Sequence, residues 1–278
     1  MAINIIDGIL ILIAFTAVVL AIARLVDLYL LRKQEQVLLP VPGQGEDVYS
    51  PRLVEGLPEP AKRWFNHTIK PGTPLARAAW LRMGGTIRLD PKKKPVALHA
   101  DELLSPPEGY VWRARMGSGL MSSSGYDSLL EGRGTMRWWL FGFLPMVRSV
   151  GADITRSNHA RLMIETIFIP SVLLPQRGAR WKAIDNQRAS VRLHIGREDV
   201  EMTIKVDREG RLLRVEVPRW NTGNAGNPGY VAFVLDKIAE ERTFDGYTIP
   251  IRMRAGWKLG QLDEDAFYFP RIEKAVYK

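Results

Sequence analysis

Between Ile3 and Ala23 the sequence reads INIIDGILILIAFTAVVLAIA, with Asn4 and Asp7 its only strongly polar side chains. A helix rises about 1.5 Å per residue, so roughly 20 residues cross a hydrocarbon core about 30 Å thick, and this run meets that length. Leu25, Val26, Leu28, Leu30 and Leu31 prolong the apolar surface, Arg24 and Asp27 stand one turn apart where they can pair, and Tyr29 falls where an interfacial aromatic belongs. A cleavable signal peptide is the competing reading, with Ala21-Ile22-Ala23 as its small-residue site. Residues 2 to 6, however, lack the positive charge of a signal's first region. The sequence therefore predicts a transmembrane anchor helix over 1–34. Arg24, Arg32 and Lys33 follow the span while only the amino terminus and Asp7 precede it. By the positive-inside rule this predicts a single-pass inner-membrane protein with a cytoplasmic body, the periplasm being the alternative. Ala14, Ala17 and Ala21 share one helix face at a spacing that admits a close intramembrane neighbour.

Beyond the anchor the chemistry is defined largely by exclusion. The chain holds no cysteine, which removes disulfides, thiolate catalysis and cysteine-based metal sites. Its four histidines, His67, His99, His159 and His194, occur at neither H-x-x-x-H nor H-E-x-x-H spacing. MGSGL around Ser118 is not a nucleophile elbow, since its glycines flank the serine directly, and no P-loop or G-x-G-x-x-G is present. SSSGYD, residues 122 to 127, reads as a turn. A non-enzyme without cofactor or metal is expected. The net charge of +9 favours anionic surfaces. No nucleic-acid-binding motif accompanies that charge, so membrane lipid and a membrane protein complex are the expected partners.

Residues 35–58 are rich in proline and glycine and read as a linker, and PEPAKRWFNHTI then reads as a short helix begun by Pro60. From there the hydrophobic period is two. Tyr110, Trp112, Ala114 and Met116 alternate with Val111, Arg113 and Arg115, and Val200, Met202, Ile204 and Val206 alternate with Glu201, Thr203 and Lys205. Val191, Leu193 and Ile195 repeat the pattern, and further strands fit 84–89, 134–141, 212–217, 248–258 and 266–276. DREG, 207–210, makes a hairpin turn. One helix, DITRSNHARLMIETIFI, interrupts them, with Asp153 as N-cap and Pro170 as its stop. The prediction is a mainly β (α+β) domain over 59–278, a curved antiparallel half-barrel packed on one or two helices.

Arg161, Leu162, Glu165, Pro170, Leu173-Leu174-Pro175 and Trp181 form a pattern that resembles a family of bacterial membrane-anchored proteins without an assigned activity. Leu57-Pro58, Trp112 and GRGTM (132–136) upstream fit it, as do DREGRL, Arg219, GYTIP and Trp257 downstream. The resemblance spans roughly 57–277. It implies a fold similar to the antiparallel half-barrels of bacterial lipoprotein carriers, which wrap a sheet around helices and hold acyl chains.

Two places carry candidate function. In RWWLFGFLPMVR (137–148), Met136, Trp138 and Leu140 face one way at period two, and Arg137, Trp139 and Phe141 the other, so both faces are apolar from Trp138 onward. Either the anchor-side linker or a helix covers the second face, or Trp138, Trp139, Phe141 and Phe143 form a tip that meets lipid or a membrane partner. On the helix, Glu165 lies one turn from Arg161 and is read as a buried ion pair or as a polar anchor at the mouth of a hydrophobic pocket. Two functions remain: an accessory subunit docking on a larger membrane complex, which the sequence favours, and a binder of lipid or another hydrophobic ligand. An apolar cavity of at least about 300 Å³ between sheet and helix marks the second, and a sheet filled by its own side chains the first.

Overall fold

The structure is a computed structural model that describes residues 4–39, 47–119, 122–223, 228–258 and 266–278. Of the expected anchor, residues 1–3 lie outside the described residues, as do 40–46 of the expected linker. Helix α1 runs Ile5–Leu38, α2 Glu59–Thr68 and α3 Ala152–Glu165. The strands of the first half are β1 (Ala79–Ile87), β2 (Val96–Ser105), β3 (Gly109–Met116), β4 (Ser123–Leu130), β5 (Arg133–Leu140) and β6 (Leu144–Val150). Those of the second are β7 (Arg180–Ala183), β8 (Arg188–Ile195), β9 (Glu198–Val206), β10 (Leu212–Asn221), β11 (Gly229–Phe244), β12 (Tyr247–Trp257) and β13 (Ala266–Tyr277).

All 13 strands form one sheet in the order β6-β5-β4-β3-β2-β1-β13-β12-β11-β10-β9-β8-β7. The chain starts in the middle of the sheet and meanders out to one edge. It then crosses through α3 and three 3-10 turns to the far edge and meanders back until β13 pairs with β1. Each pairing is antiparallel, which short connections allow. Helix α3 touches β4, β5 and β6 of the first half and also β8, β9 and β10 of the second. Strands so distant in sheet order reach one helix because the sheet curls around it. The expected mainly β half-barrel is the fold observed.

Along β9 the inward set Val200, Met202, Ile204 and Val206 is buried and its neighbours are wet, the alternation that predicted the strand. The DREG hairpin turn is present, with Asp207 Oδ1 accepting the backbone N–H groups of Glu209 and Arg211. Three expectations need correction. SSSGYD is not a turn, because Ser123 to Asp127 lie within β4. The N-cap of α3 is Gly151 rather than Asp153, which sits in the first turn and accepts from Arg156. The helix ends at Glu165, and Thr166–Phe168 and Pro170–Leu173 continue as separate 3-10 turns. Gly134 explains how α3 lies so close to β5: a Cβ there would stand 2.8 Å from the backbone of Thr155.

The convex face is covered where α1 meets it. Leu31 and Leu38 pack with Ala78, Leu103, Val111 and Tyr126. One turn earlier the Asp27 carboxylate is fully buried against the sheet. It accepts hydrogen bonds from Arg137 Nη1 at 2.9 Å, Trp139 Nε1 at 2.9 Å and Tyr126 Oη at 3.1 Å, and Arg24 pairs with it at 3.3 Å. The apolar first half of α1 is largely exposed, and α1 is the one helix among the described residues long and apolar enough to cross a membrane.

Candidate functional site

Between α3 and the concave face of the sheet lies a cavity of about 400 Å³. Its walls come from both halves of the sheet: Met83 and Ile87 of β1, Trp112 and Met116 of β3, Met136 and Trp138 of β5, Phe233 and Leu235 of β11, Met253 and Trp257 of β12, and Tyr268 of β13. The lining is mainly aromatic, aliphatic and thioether, a combination that accepts flexible apolar guests. Trp112 packs against Trp138 at 5.9 Å and edge-on to Tyr268 at 6.4 Å between ring centroids. Leu89 and Met146 line the cavity and are themselves 66% and 52% exposed, so it opens to solvent beside the β5–β6 hairpin.

Under this apolar wall sits a buried group of charges. Arg161 of α3 donates through Nε to Glu165 Oε1 at 2.9 Å and through Nη1 to Asp127 Oδ2 at 2.9 Å, and Nη2 faces Glu102 Oε1 at 3.4 Å. Its guanidinium also lies 4.8 Å from the ring centre of Tyr110 and 4.7 Å from that of Trp112. Each nitrogen of the fork is used, as buried guanidinium groups require. Burial opposes the Arg161 charge, but the facing carboxyls, Glu165 foremost, more than offset it and hold the guanidinium well above its ordinary value. Burial first, then repulsion from Glu165, pushes the Glu102 carboxyl well above the usual carboxylate range. Burial also raises Asp127, against the pull of Arg161 and of the Trp138 indole N–H that donates to its Oδ1 at 3.1 Å.

The second guanidinium is Arg219 of β10. Its Nε donates to Ser157 Oγ of α3 at 3.0 Å, and it stacks over Phe233 at 4.8 Å and Trp257 at 5.4 Å. Burial, followed by repulsion from Arg161, lowers its pKa to about 10.

The structure separates the sequence-derived candidates into two groups. Trp138, Arg161 and Glu165 meet at the cavity. Trp139 points through the sheet to Asp27 and is 6% exposed. Phe141 and Phe143 form the hairpin tip, 42% and 51% exposed, with ring centroids 6.2 Å apart. Phe143 shares a surface depression with Leu12, Ile13, Thr16, Ala17, Leu20 and Ala21, so the tip lies beside the apolar half of α1. Sequence reasoning missed Glu102, Asp127 and Arg219 as site residues. Asp127 was concealed by the serine and glycine around it. Gly125 is there because a Cβ would stand 2.6 Å from the Trp138 ring, a close approach rather than a turn.

No curated protein matches the sequence. Among solved structures, a LolA superfamily protein, NE2245, from Nitrosomonas europaea is similar with 9% identity and a TM-score of 0.40, over 84% of this chain and 94% of that one. A domain named for outer membrane lipoprotein sorting from Vibrio parahaemolyticus gives 10% identity and a TM-score of 0.39, over 82% and 92%. A DUF1329 family protein from Desulfovibrio piger gives 11% and 0.35, over 73% and 86%. The sequence profile of one family covers residues 47–269, from just after α1 into β13, and on that match the chain belongs to the family of unknown function DUF6544.

Proposed function

We propose that this domain binds a lipid or similar hydrophobic ligand, taken up at a membrane surface on which α1 anchors it. The observation that carries the reading is the cavity itself. About 400 Å³ of apolar space remains open between α3 and the sheet, within the range of small-molecule sites and above the size that distinguishes a binder from a docking scaffold. A sheet whose task was to present an outer face to a partner complex has no need of a hollow interior. The docking role favoured from sequence rested on the anchor and the basic charge, and neither accounts for the cavity. The hairpin supplies the route. Met146 and Val147 of β6 line the cavity while Phe143, at the same hairpin's tip, lies against the apolar half of α1. A tip with aromatic side chains and the exposed Arg148 at its base suits an anionic interface. The cavity mouth then opens where acyl chains are at hand.

The function needs no reaction, and the buried charges are held by one another rather than placed for proton transfer. The cytoplasmic side is the orientation proposed, from Arg24, Arg32 and Lys33 after the span. The test is lipid analysis of the full chain in nanodiscs, compared with Met253→Trp, which puts a bulky ring where Met253, 5% exposed, lines the cavity. The expected result is near-stoichiometric lipid retained by the wild type after detergent washing and lost from the variant at a comparable Tm. Equal retention by both, or none by either, overturns the reading.

A further inference from the structure

The two guanidinium groups of the cavity are not equivalent. Arg161 is saturated: each nitrogen of its fork faces one of three carboxyls. Arg219 has no ion pair among the described residues, and its one hydrogen bond there is from Nε to Ser157. The rings of Phe233 and Trp257 support it from the face. With Nε engaged, the planar fork is fixed, and its two terminal nitrogens are left with donors that no described side chain accepts. Such an edge matches the two oxygens of a carboxylate. Arg219 is half-buried and without a counter-ion among the described residues, and an anion entering the cavity gains that partner. The two rings lie 5.1 Å apart on one side of the guanidinium, which leaves its edge to meet the incoming head.

We infer that Arg219 holds the head of the ligand, and that the ligand is a single-chain amphiphile with a carboxylate head, of the fatty-acid type. This rests on the reading of the cavity as a lipid site and gives it a polarity: the carboxylate sits on Arg219, next to Trp257, and the tail runs among Met83, Met253 and Trp138 toward Met146 and Leu89 at the mouth. One guanidinium without a partner suits one negative charge. A phosphate monoester brings close to two, beside Asp127 and Glu165, and is disfavoured. Glu165 Oε2 is buried and has no hydrogen-bond partner, so a cationic head is the competitor to be tested.

The experiment uses the full chain in phosphatidylcholine nanodiscs loaded with photoactivatable analogues of hexadecanoic acid, hexadecanol, hexadecylamine and hexadecyl phosphate, each with the label at the tail. Cross-links at cavity residues are counted by mass spectrometry. The acid is expected to label the wild type at least about tenfold more than the alcohol, the scale of a charge-assisted pair in a dry site. Arg219→Gln is expected to bring the acid down to the level of the alcohol and leave alcohol labelling unchanged. Equal labelling by acid and alcohol in the wild type, or stronger labelling by the amine or the phosphate, overturns the inference while the lipid reading stands. No labelling of the cavity by any probe overturns the lipid reading, and the inference with it. Should Arg219→Gln fail to fold, Arg219→Lys is read in its place: a reduced acid preference with intact alcohol labelling supports the assignment, and an unchanged preference overturns it.

Discussion

Asp27 joins α1 to three side chains on the outer face of the sheet, so its removal should loosen that contact. Replacing it with alanine removes the common acceptor of Arg137, Trp139 and Tyr126 and the partner of Arg24. Breaking a buried ion pair from one side costs about 3–5 kcal/mol, since the opposite charge stays buried without a partner. Here Arg24 and Arg137 are each 21% exposed at the side chain and regain some water, which moves the estimate toward the lower end. The indole of Trp139, 6% exposed, cannot regain it, and an orphaned neutral donor adds about 1–3 kcal/mol. A loss of about 4–6 kcal/mol is therefore expected, and for a domain of this size each kcal/mol lowers Tm by roughly 2–4 °C. The assay is thermal unfolding of the full chain in nanodiscs, read together with hydrogen exchange. Exchange is expected to rise in β4, β5 and the second half of α1 and to stay unchanged in β8 to β10, which α1 does not touch. Asp27→Asn, which retains an acceptor for Trp139 and Tyr126, is expected to lose less. A Tm of Asp27→Ala within a degree or so of wild type, with no change in exchange, would refute the view that this carboxylate clamps α1 to the sheet.

The hairpin separates core from surface, which a pair of truncations reads directly. Trp138→Ala is expected to cost about 3–5 kcal/mol, the ring being 5% exposed, whereas Phe143→Ser is expected to leave Tm nearly unchanged and to weaken co-sedimentation with anionic vesicles. Equal Tm losses in the two variants would place the tip in the core. Glu102 gives a pH signature: its folded-state pKa is raised above 4.5 by burial, so above that value the folded chain holds a proton the unfolded chain has released. Stability then falls as pH rises toward the folded pKa, and Glu102→Gln, neutral throughout, is expected to flatten that fall in Tm measured from about pH 5 to 8. An unchanged slope in the variant would mean that Glu102 is ionised in the fold. A reporter fused after Lys278 is expected to be active in the cytoplasm, and activity confined to the periplasm would reverse the orientation.

Why some of this was legible in the sequence and some was not comes down to how many faces of an element are covered. In β8 and β9 one face is wet, so the alternation of Val, Met and Ile with Glu, Thr and Lys declared both strands at once. In β4 nearly every residue is buried, because α1 lies on the convex side and the cavity on the concave. A strand covered on both sides has no polar phase to alternate with, and its serines and Gly125 imitated a turn. The Arg161–Glu165 pair was visible because four residues along a helix is a local distance. The addition of Asp127 and Glu102 to it was not, for sheet register brings them from 34 and 59 residues away. The same holds for Asp27: its neighbour Arg24 could be read from the helix, while Arg137 and Trp139 arrive from 110 and 112 residues on. These hidden contacts are joined through adjacent residues of β5. Trp138 donates inward to Asp127 beneath the cavity, and Trp139 donates outward to Asp27 on α1. A strand places consecutive side chains on opposite faces, so the tryptophan pair that blurred the period in RWWLFGFLPMVR is what ties α1 to the cavity across the thickness of one sheet.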